Sequence, residues 1–226
     1  MTVSILLPSL NFSALARRIQ EIKFCEPELD YEIIVVSPFP VSGPRVVWVF
    51  DKEVQGAVKS HSLAFQHSTG DYLVAWSDEI VPTESCLSAI VDYTRQHLDP
   101  FVAGFMVADT LGNVIPPLGV YGKLYVGYSC FTRKTVGMAG GYYDTIYKGH
   151  WADPDFCLRV YQAGGSTEVC SKAFVTFLGF EGAADAFNES FFKEDLNTFL
   201  DRWHSVFGSS IPRNKVLQYG ILNHVV

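Results

Sequence analysis

Gly56-Ala-Val-Lys-Ser-His-Ser-Leu-Ala-Phe-Gln-His-Ser-Thr-Gly-Asp-Tyr-Leu-Val-Ala-Trp-Ser-Asp-Glu79 contains two elements of different period that end in acid. Gly56 to His67 has the composition and spacing of a helix. After Gly70, Asp71 to Trp76 is a nearly continuous apolar run, the form of a strand buried on both faces. Ser77-Asp78-Glu79 falls where that strand stops. In a parallel α/β sheet the ligand crevice lies beyond the carboxyl ends of the strands, so carboxylates at this point reach into it.

The residues before Gly56 repeat the same alternation. Val3 to Leu7 is an apolar strand closed by Pro8, and Leu15, Ile19 and Ile22 recur at helical spacing up to Glu26-Pro27. Tyr31 to Val36 is a second strand that stops at Ser37-Pro38, and Val46 to Phe50 a third. Strands separated by helices predict a parallel sheet. Pro82-Thr83 then opens a helix carrying Leu87, Ile90 and Val91 inward, with Thr83 as its N-cap.

Past Pro100 the rhythm changes. The runs Phe101 to Val107 and Leu124 to Phe131 have no helix between them, which predicts a mixed sheet in the second half. Asp153-Pro154 reads as a helix start, Asp capping free amides and Pro fitting the first helical position, and Gly164-Gly165 as its end. From Asn188, the residues Phe191, Phe192, Leu196, Phe199, Leu200 and Trp203 form an amphipathic segment expected to pack on the core.

At 226 residues and 48% hydrophobic content the chain suits one domain with one substantial core. It has no secretory-signal pattern and no apolar run near the ~18 residues that cross a bilayer, so a soluble, cytoplasmic protein is expected. Five scattered cysteines without C-x-x-C spacing read as reduced thiols. A net charge of −7 opposes non-specific binding to nucleic acid. The sequence lacks a P-loop, a zinc-binding histidine pair and a hydrolase nucleophile motif.

Two acidic groups are candidates for chemistry. Asp78 and Glu79 offer hard oxygen ligands for a divalent cation that bridges the phosphates of a nucleoside diphosphate; taken alone, Ser-Asp-Glu reads sooner as a solvated turn. Asp153, after a Gly-rich loop, is placed to accept a proton from an acceptor hydroxyl, and helix capping competes for it. Asp155 complements the helix dipole. Trp76, Tyr142, Tyr143 and Trp151 lie near the expected crevice, with packing favoured over sugar stacking.

Taken in order, these segments resemble family-2 glycosyltransferases of the GT-A fold from Val3 to about Gly165. Val3-Ser-Ile-Leu-Leu-Pro-Ser-Leu-Asn11 is similar to that family's opening strand and nucleotide-lining turn, and Glu32 to Val36 to its second strand. Gly56 to Asp71 matches, without a gap, its helix ending in Gly-Asp. Asp71 to Glu79 is similar to the strand that ends in Asp-x-Asp. Gly140-Gly141-Tyr-Tyr-Asp144 and Trp151-Ala-Asp-Pro-Asp-Phe-Cys-Leu-Arg159 resemble its Gly-Gly-Phe-Asp and Glu-Asp-x-Asp-Leu-x-x-Arg segments.

The resemblance implies a single GT-A, Rossmann-like α/β domain with a mostly parallel sheet, a mixed second half and a C-terminal helical segment. Residues 1–100 would form its nucleotide-binding half, 101–180 its acceptor side and 181–226 the helical segment. It implies Glu79 as metal ligand with Asp78 beside it, Mn2+ or Mg2+ as cofactor, and Asp153 as the base of an inverting transfer. Pro8, Ser9, Asn11, Ser37, Lys59, His61 and Asp78 would line the donor, and Gly141, Trp151 and Asp155 the acceptor side, Asp155 supporting either helix or acceptor. Lys59, Arg133 or Lys134 would assist the departing diphosphate. The partners implied are a nucleoside-diphosphate sugar and a glycan, lipid-linked sugar or protein acceptor.

The chain departs from the family at Ser37, Ser77, His61-Ser62 and Ala152, which replace an Asp, an Asp, an Arg-Asn pair and a Glu. These departures keep open a non-catalytic domain that binds nucleotide or glycan or serves assembly. A nucleotidyltransferase ranks lower, because Pro8-Ser-Leu-Asn11 is neither glycine-rich nor basic. His204 and His224 are left out of the metal site.

Overall fold

The computed structural model describes residues 2–179, 188–208, 210 and 212–219. The first half follows the expected alternation: β1 (Val3–Pro8), α1 (Phe12–Cys25), β2 (Tyr31–Ser37), β3 (Val46–Phe50), α2 (Ala57–His67), β4 (Tyr72–Ala75), β5 (Ile80–Pro82) and α3 (Cys86–Arg95). Then come β6 (Phe101–Ala108), β7 (Leu118–Val120), β8 (Lys123–Tyr125), β9 (Ser129–Thr132), α4 (Arg133–Met138), α5 (Ala152–Gln162) and β10 (Ser166–Phe177). The described chain closes with α6 (Phe192–Phe207), a 3-10 turn at Arg213–Lys215 and β11 (Leu217–Tyr219).

The main sheet runs β3-β2-β1-β4-β9-β6-β10-β5. Strands β1 to β4 are mutually parallel, β9 is antiparallel to both neighbours, β10 is parallel to β6, and β5 is antiparallel to β10. This is the expected single α/β domain with a mixed second half. α1 and α3 cover one face with Leu15, Ile19, Ile22, Leu87, Ile90 and Val91. On the other, α2, α4 and α5 contribute Ala64, Val136, Phe156 and Val160.

One connection forces the sheet to curl. β4 and β5 stand four places apart in the strand order, about 19 Å on a flat sheet at ~4.8 Å per strand. Only 76–79 separate them, and the Ile80 amide turns back to the Ser77 carbonyl at 3.4 Å. A turned segment of that length cannot cross a flat sheet, since even a fully extended one reaches only ~17 Å. The register irregularity between Cys170 and Phe174 in β10 supplies part of the bend. Ser77-Asp78-Glu79 thus lies across the mouth of the curl.

Several local expectations give way to tertiary contacts. The run Leu124 to Phe131 is not one strand: β8 joins a small second sheet, β11-β7-β8, while β9 joins the main sheet, and 126–128 crosses between them. The C-terminal segment is not purely helical, because β11 pairs antiparallel with β7. Thr83 does not cap α3; its hydroxyl donates to the Phe174 carbonyl at 2.7 Å. Glu26, buried at the end of α1, caps α3 instead, accepting the Leu87 and Ser88 amides and the Ser88 hydroxyl. Asp153 is not the cap of α5 either: Trp151, at φ 67°, holds that position and puts Asp153 in the first turn. All five cysteines are free, and among the described residues no helix is long and apolar enough to cross a membrane.

α6 is fastened by buried charge as well as by its apolar face. The Asp195 carboxylate accepts the backbone amides of Lys148, Gly149 and His150 at 2.9–3.1 Å. Asp155, fully buried in α5, accepts Trp203 Nε1 at 2.8 Å, Tyr147 OH at 3.1 Å and Arg159 Nε at 2.8 Å, with Arg202 Nη1 3.3 Å away. Removing one partner of a buried ion pair leaves the other without its counter-charge, so Asp155→Ala is expected to cost about 3–5 kcal/mol, measured by urea unfolding against the unaltered protein.

Candidate active site

The carboxyl ends of β1 and β4 bring the first carboxylate pair to a common point. Ser9, just past β1, donates its hydroxyl to Asp78 Oδ2 in a short hydrogen bond and accepts the Asn11 amide at 3.0 Å. Asn11 caps α1, accepting the Ala14 amide at 3.1 Å. Ser77 shapes the acidic turn, its Oγ accepting the Glu79 amide at 3.0 Å and donating to Glu79 Oε2 at 3.1 Å. A hydroxyl here makes the side-chain-to-backbone turn that Asp makes elsewhere. Tyr128, in the crossing before β9, donates to Glu79 Oε2 at 3.3 Å.

Asp153 approaches the same place from α5. A Cβ built on Gly127 would lie 3.2 Å from Asp153 Oδ2, so the carboxylate rests against the backbone that carries Tyr128. Part of Asp153 is open to solvent, yet it sits deep in the fold. Burial raises its carboxyl from 3.8 to about 6, with its own backbone amide pulling the other way. Both Glu79 and Asp153 in turn help to push the Tyr128 phenol well above its usual range, after burial itself. Glu79 and Asp153 therefore approach the Gly127-Tyr128 segment from different elements, while Asp78 is held at the end of β1 by Ser9.

Other expected residues fall elsewhere. Asp155 is consumed as the buried partner of α6, the helix-supporting half of its expected role. Trp151 packs on Phe199 at 4.9 Å and Phe192 at 5.7 Å, and Trp76 is fully buried against Phe105; both are packing aromatics. Gly141, at φ 129°, takes a conformation that suits glycine, and its carbonyl accepts Arg159 Nη1 at 2.6 Å. Ser37 donates to the Phe39 carbonyl at 2.7 Å and accepts Trp48 Nε1 at 3.2 Å. Pro8 ends β1 opposite Val36.

His61 lies edge-on to Tyr143 at 5.4 Å with its Nδ1 buried and unpartnered. Burial lowers it to about 4, so it is neutral at physiological pH and offers a diphosphate no charge. Lys59 donates to Gln55 and lines a separate groove of about 180 Å³ with Gln66 and Thr145. Arg133 and Lys134 sit at the wrong edge of the sheet. The Arg133 backbone amide donates to the Asp71 carbonyl and its guanidinium to the carbonyls of Gly70 and Ser68, at the start of β4, and Lys134 pairs with Asp99. His204 packs beside Tyr121, and His224 lies outside the described residues.

A larger cavity, about 400 Å³, opens between α5 and α6 beside Met138, Gln162 and Val206. It has more room than chemistry, since its guanidiniums, Arg159 and Arg202, already pair with Asp155 and Asp144. The candidate site is the carboxylate cluster, whose members line neither cavity. Spacing pointed to its acids but not to Tyr128, Gly127 or the turn-forming role of Ser77. The only trace of the first two was a glycine interrupting the apolar run Leu124 to Phe131.

Among the described residues no group of three or more His, Cys, Asp or Glu could hold a metal by itself. Two adjacent carboxylates nonetheless fit a hard divalent cation that draws its remaining oxygens from substrate phosphates and water, the usual manner of Mg2+ binding. Asp78 and Glu79 are such a pair, and the site supplies no basic side chain from the expected set to neutralise a diphosphate in the cation's place.

No protein-family model matches the sequence, and no curated protein matches it. Solved structures do match in fold. GalNAc-T7, in complex with UDP, GalNAc and Mn2+, superposes with a TM-score of 0.61 at 12% identity, over 94% of this chain and 52% of that one. The Pyrobaculum calidifontis mannosyltransferase PcManGT, with GDP-Man and Mn2+, gives 0.64 at 14%, over 88% and 64%. S. aureus TarS 1–349 with UDP-GlcNAc gives 0.59 at 12%, over 94% and 76%. The chain spans about half the length of the first and under two thirds of the second. Its fold is the GT-A fold.

The shift of Asp153 has a cost that can be measured. A carboxyl raised in the folded state binds its proton more tightly there than when unfolded. Stability is therefore fully kept below about pH 4 and declines as pH rises toward about 6. A tenfold change in proton affinity is worth about 1.4 kcal/mol. Asp153→Asn is expected to be roughly 3 kcal/mol more stable than the unaltered protein at pH 7 and equal to it near pH 3.5, by denaturant titration at both pH values.

Proposed function

We propose that the chain transfers a sugar from a nucleoside-diphosphate sugar to a hydroxyl acceptor with inversion, on a site whose motifs are nearest to family-2 glycosyltransferases. The observation that supports this reading is that, in a GT-A fold, Glu79 and Asp153 contact the adjoining residues Tyr128 and Gly127, with Asp78 bonded to Ser9 at the end of β1. The donor would lie over Pro8, Ser9 and Asn11, its diphosphate toward Asp78 and Glu79. A divalent cation bound there would neutralise charge on the diphosphate as it departs.

Asp153 would act on the acceptor. Its carboxylate takes the hydroxyl proton while the acceptor oxygen forms a bond to the anomeric carbon. The bond from that carbon to the phosphate oxygen breaks, and the nucleoside diphosphate leaves with the electron pair. A carboxyl raised to about 6 suits a general base, being ionised at neutral pH yet more basic than an ordinary carboxylate. The acceptor is a glycan, lipid-linked sugar or protein, and the five free cysteines support a reducing, cytoplasmic setting.

A second reading is a domain that binds nucleotide or glycan without turnover. Its support is Ser37 and Ser77, hydroxyls committed to turns at positions where the resembled family carries carboxylates.

A thermal-shift screen against UDP, GDP, dTDP and CMP sugars, with and without Mn2+ or Mg2+, separates them first from no binding at all. A ligand at ~100 times its dissociation constant adds about 2.7 kcal/mol, and a metal-dependent rise for one nucleotide is expected. Turnover then decides. Asp153→Asn should lose about 10²–10⁴-fold in kcat while keeping the donor-induced shift, and full activity in that variant would refute the base assignment. In the unaltered enzyme kcat/KM should fall tenfold per pH unit below about 6, whereas an unshifted carboxylate would hold activity down to about pH 4.

A further inference from the structure

We infer that Gly127-Tyr128 is a positioning bridge that sets the distance between the donor-side and acceptor-side carboxylates. Tyr128 orients Glu79 for its cation, and Gly127 provides the space against which Asp153 is seated. The inference rests on the proposed transferase reading and goes beyond it, since the motifs of the sequence include neither residue.

Three contacts carry it. The Tyr128 hydroxyl meets Glu79 Oε2 at 3.3 Å. Asp153 Oδ2 is so close to Gly127 that an added Cβ would stand 3.2 Å away, tighter than ordinary van der Waals contact. The bridge itself is firmly held: the Tyr128 carbonyl accepts the Phe105 amide at 3.1 Å, and its ring packs against the main core. Each carboxylate is thus set by its own residue of one held segment, Glu79 by Tyr128 and Asp153 by Gly127.

Positioning of reacting groups to within fractions of an ångström is what such a bridge supplies. A 1 Å misplacement costs about 10²-fold in rate, so a shift of a few tenths is expected to cost several-fold to ten-fold. The Tyr128 hydroxyl serves Glu79 as a hydrogen-bond donor. Tyr128 is thus assigned to positioning and Asp153 keeps the base role.

The test reads metal binding apart from activity. Free Mn2+ is followed by electron paramagnetic resonance during titration of the protein in the presence of UDP and, in parallel, GDP. Tyr128→Phe keeps the ring and should keep its thermal midpoint, yet bind Mn2+ about five-fold more weakly. That is a low value for a hydrogen bond to a charged group, because 3.3 Å is long. Gly127→Ala should leave Mn2+ affinity unchanged and lower kcat for donor hydrolysis, with water as acceptor, about ten-fold at constant KM.

Unchanged Mn2+ affinity in folded Tyr128→Phe, or unchanged kcat in Gly127→Ala, would overturn the bridge while leaving the transferase reading intact. Failure of the unaltered protein to bind Mn2+ with either nucleotide would overturn the cation reading and the bridge with it.

Discussion

The carboxylate of Asp155 is the interaction on which the second half of the molecule depends. It is fully buried and accepts from Tyr147, Trp203 and Arg159, so it joins the loop before α5, α5 itself and the C-terminal helix α6. A buried charge is tolerable only when its lone pairs are met. Meeting them here requires all three elements to be in place together. Arg159 extends the same network by holding the carbonyls of Ala139, Gly141 and Tyr142, which shapes the Gly-rich loop. Asp153, two residues before Asp155, inherits its position from that arrangement.

Asp153 contrasts with its neighbour. Asp155 is buried and satisfied, whereas Asp153 is deep in the fold and left with a carboxyl raised by desolvation. One turn of one helix therefore carries both a stabilising carboxylate and a destabilised one. Such a division is common where a group is kept reactive, because the features that raise its basicity are those that make the folded state less favourable. Glu79 lies on the other side of Tyr128, and Asp78 is bonded to Ser9. Arg133, Lys134, Lys59 and neutral His61 are all placed elsewhere.

Much of this was legible in the linear chain because it depends on short-range pattern. Apolar runs such as Val3 to Leu7 and Tyr31 to Val36 became the parallel strands they suggested, since a strand buried on both faces needs a continuous apolar sequence. Ser77-Asp78-Glu79 fell at a strand end by simple counting. The failures were equally local in origin. Thr83 and Asp153 looked like caps, but Glu26 and the backbone of Trp151 took those positions through contacts far away in sequence or a conformation that no pattern signals. Leu124 to Phe131 looked like one strand, yet it serves two sheets.

By itself, then, the sequence determined the alternation of elements, the parallel first half, the acids at the strand edge and the helix carrying Asp153. Each follows from periodicity, chain direction or residue type along a short stretch. Tertiary structure alone decided that β5 pairs at the far edge and curls the sheet, that Asp155 is a buried hub while Asp153 rests against Gly127, and that Tyr128 stands between Glu79 and Asp153. Those outcomes depend on desolvation and on distances between residues many positions apart, quantities that exist only once the chain has closed on itself.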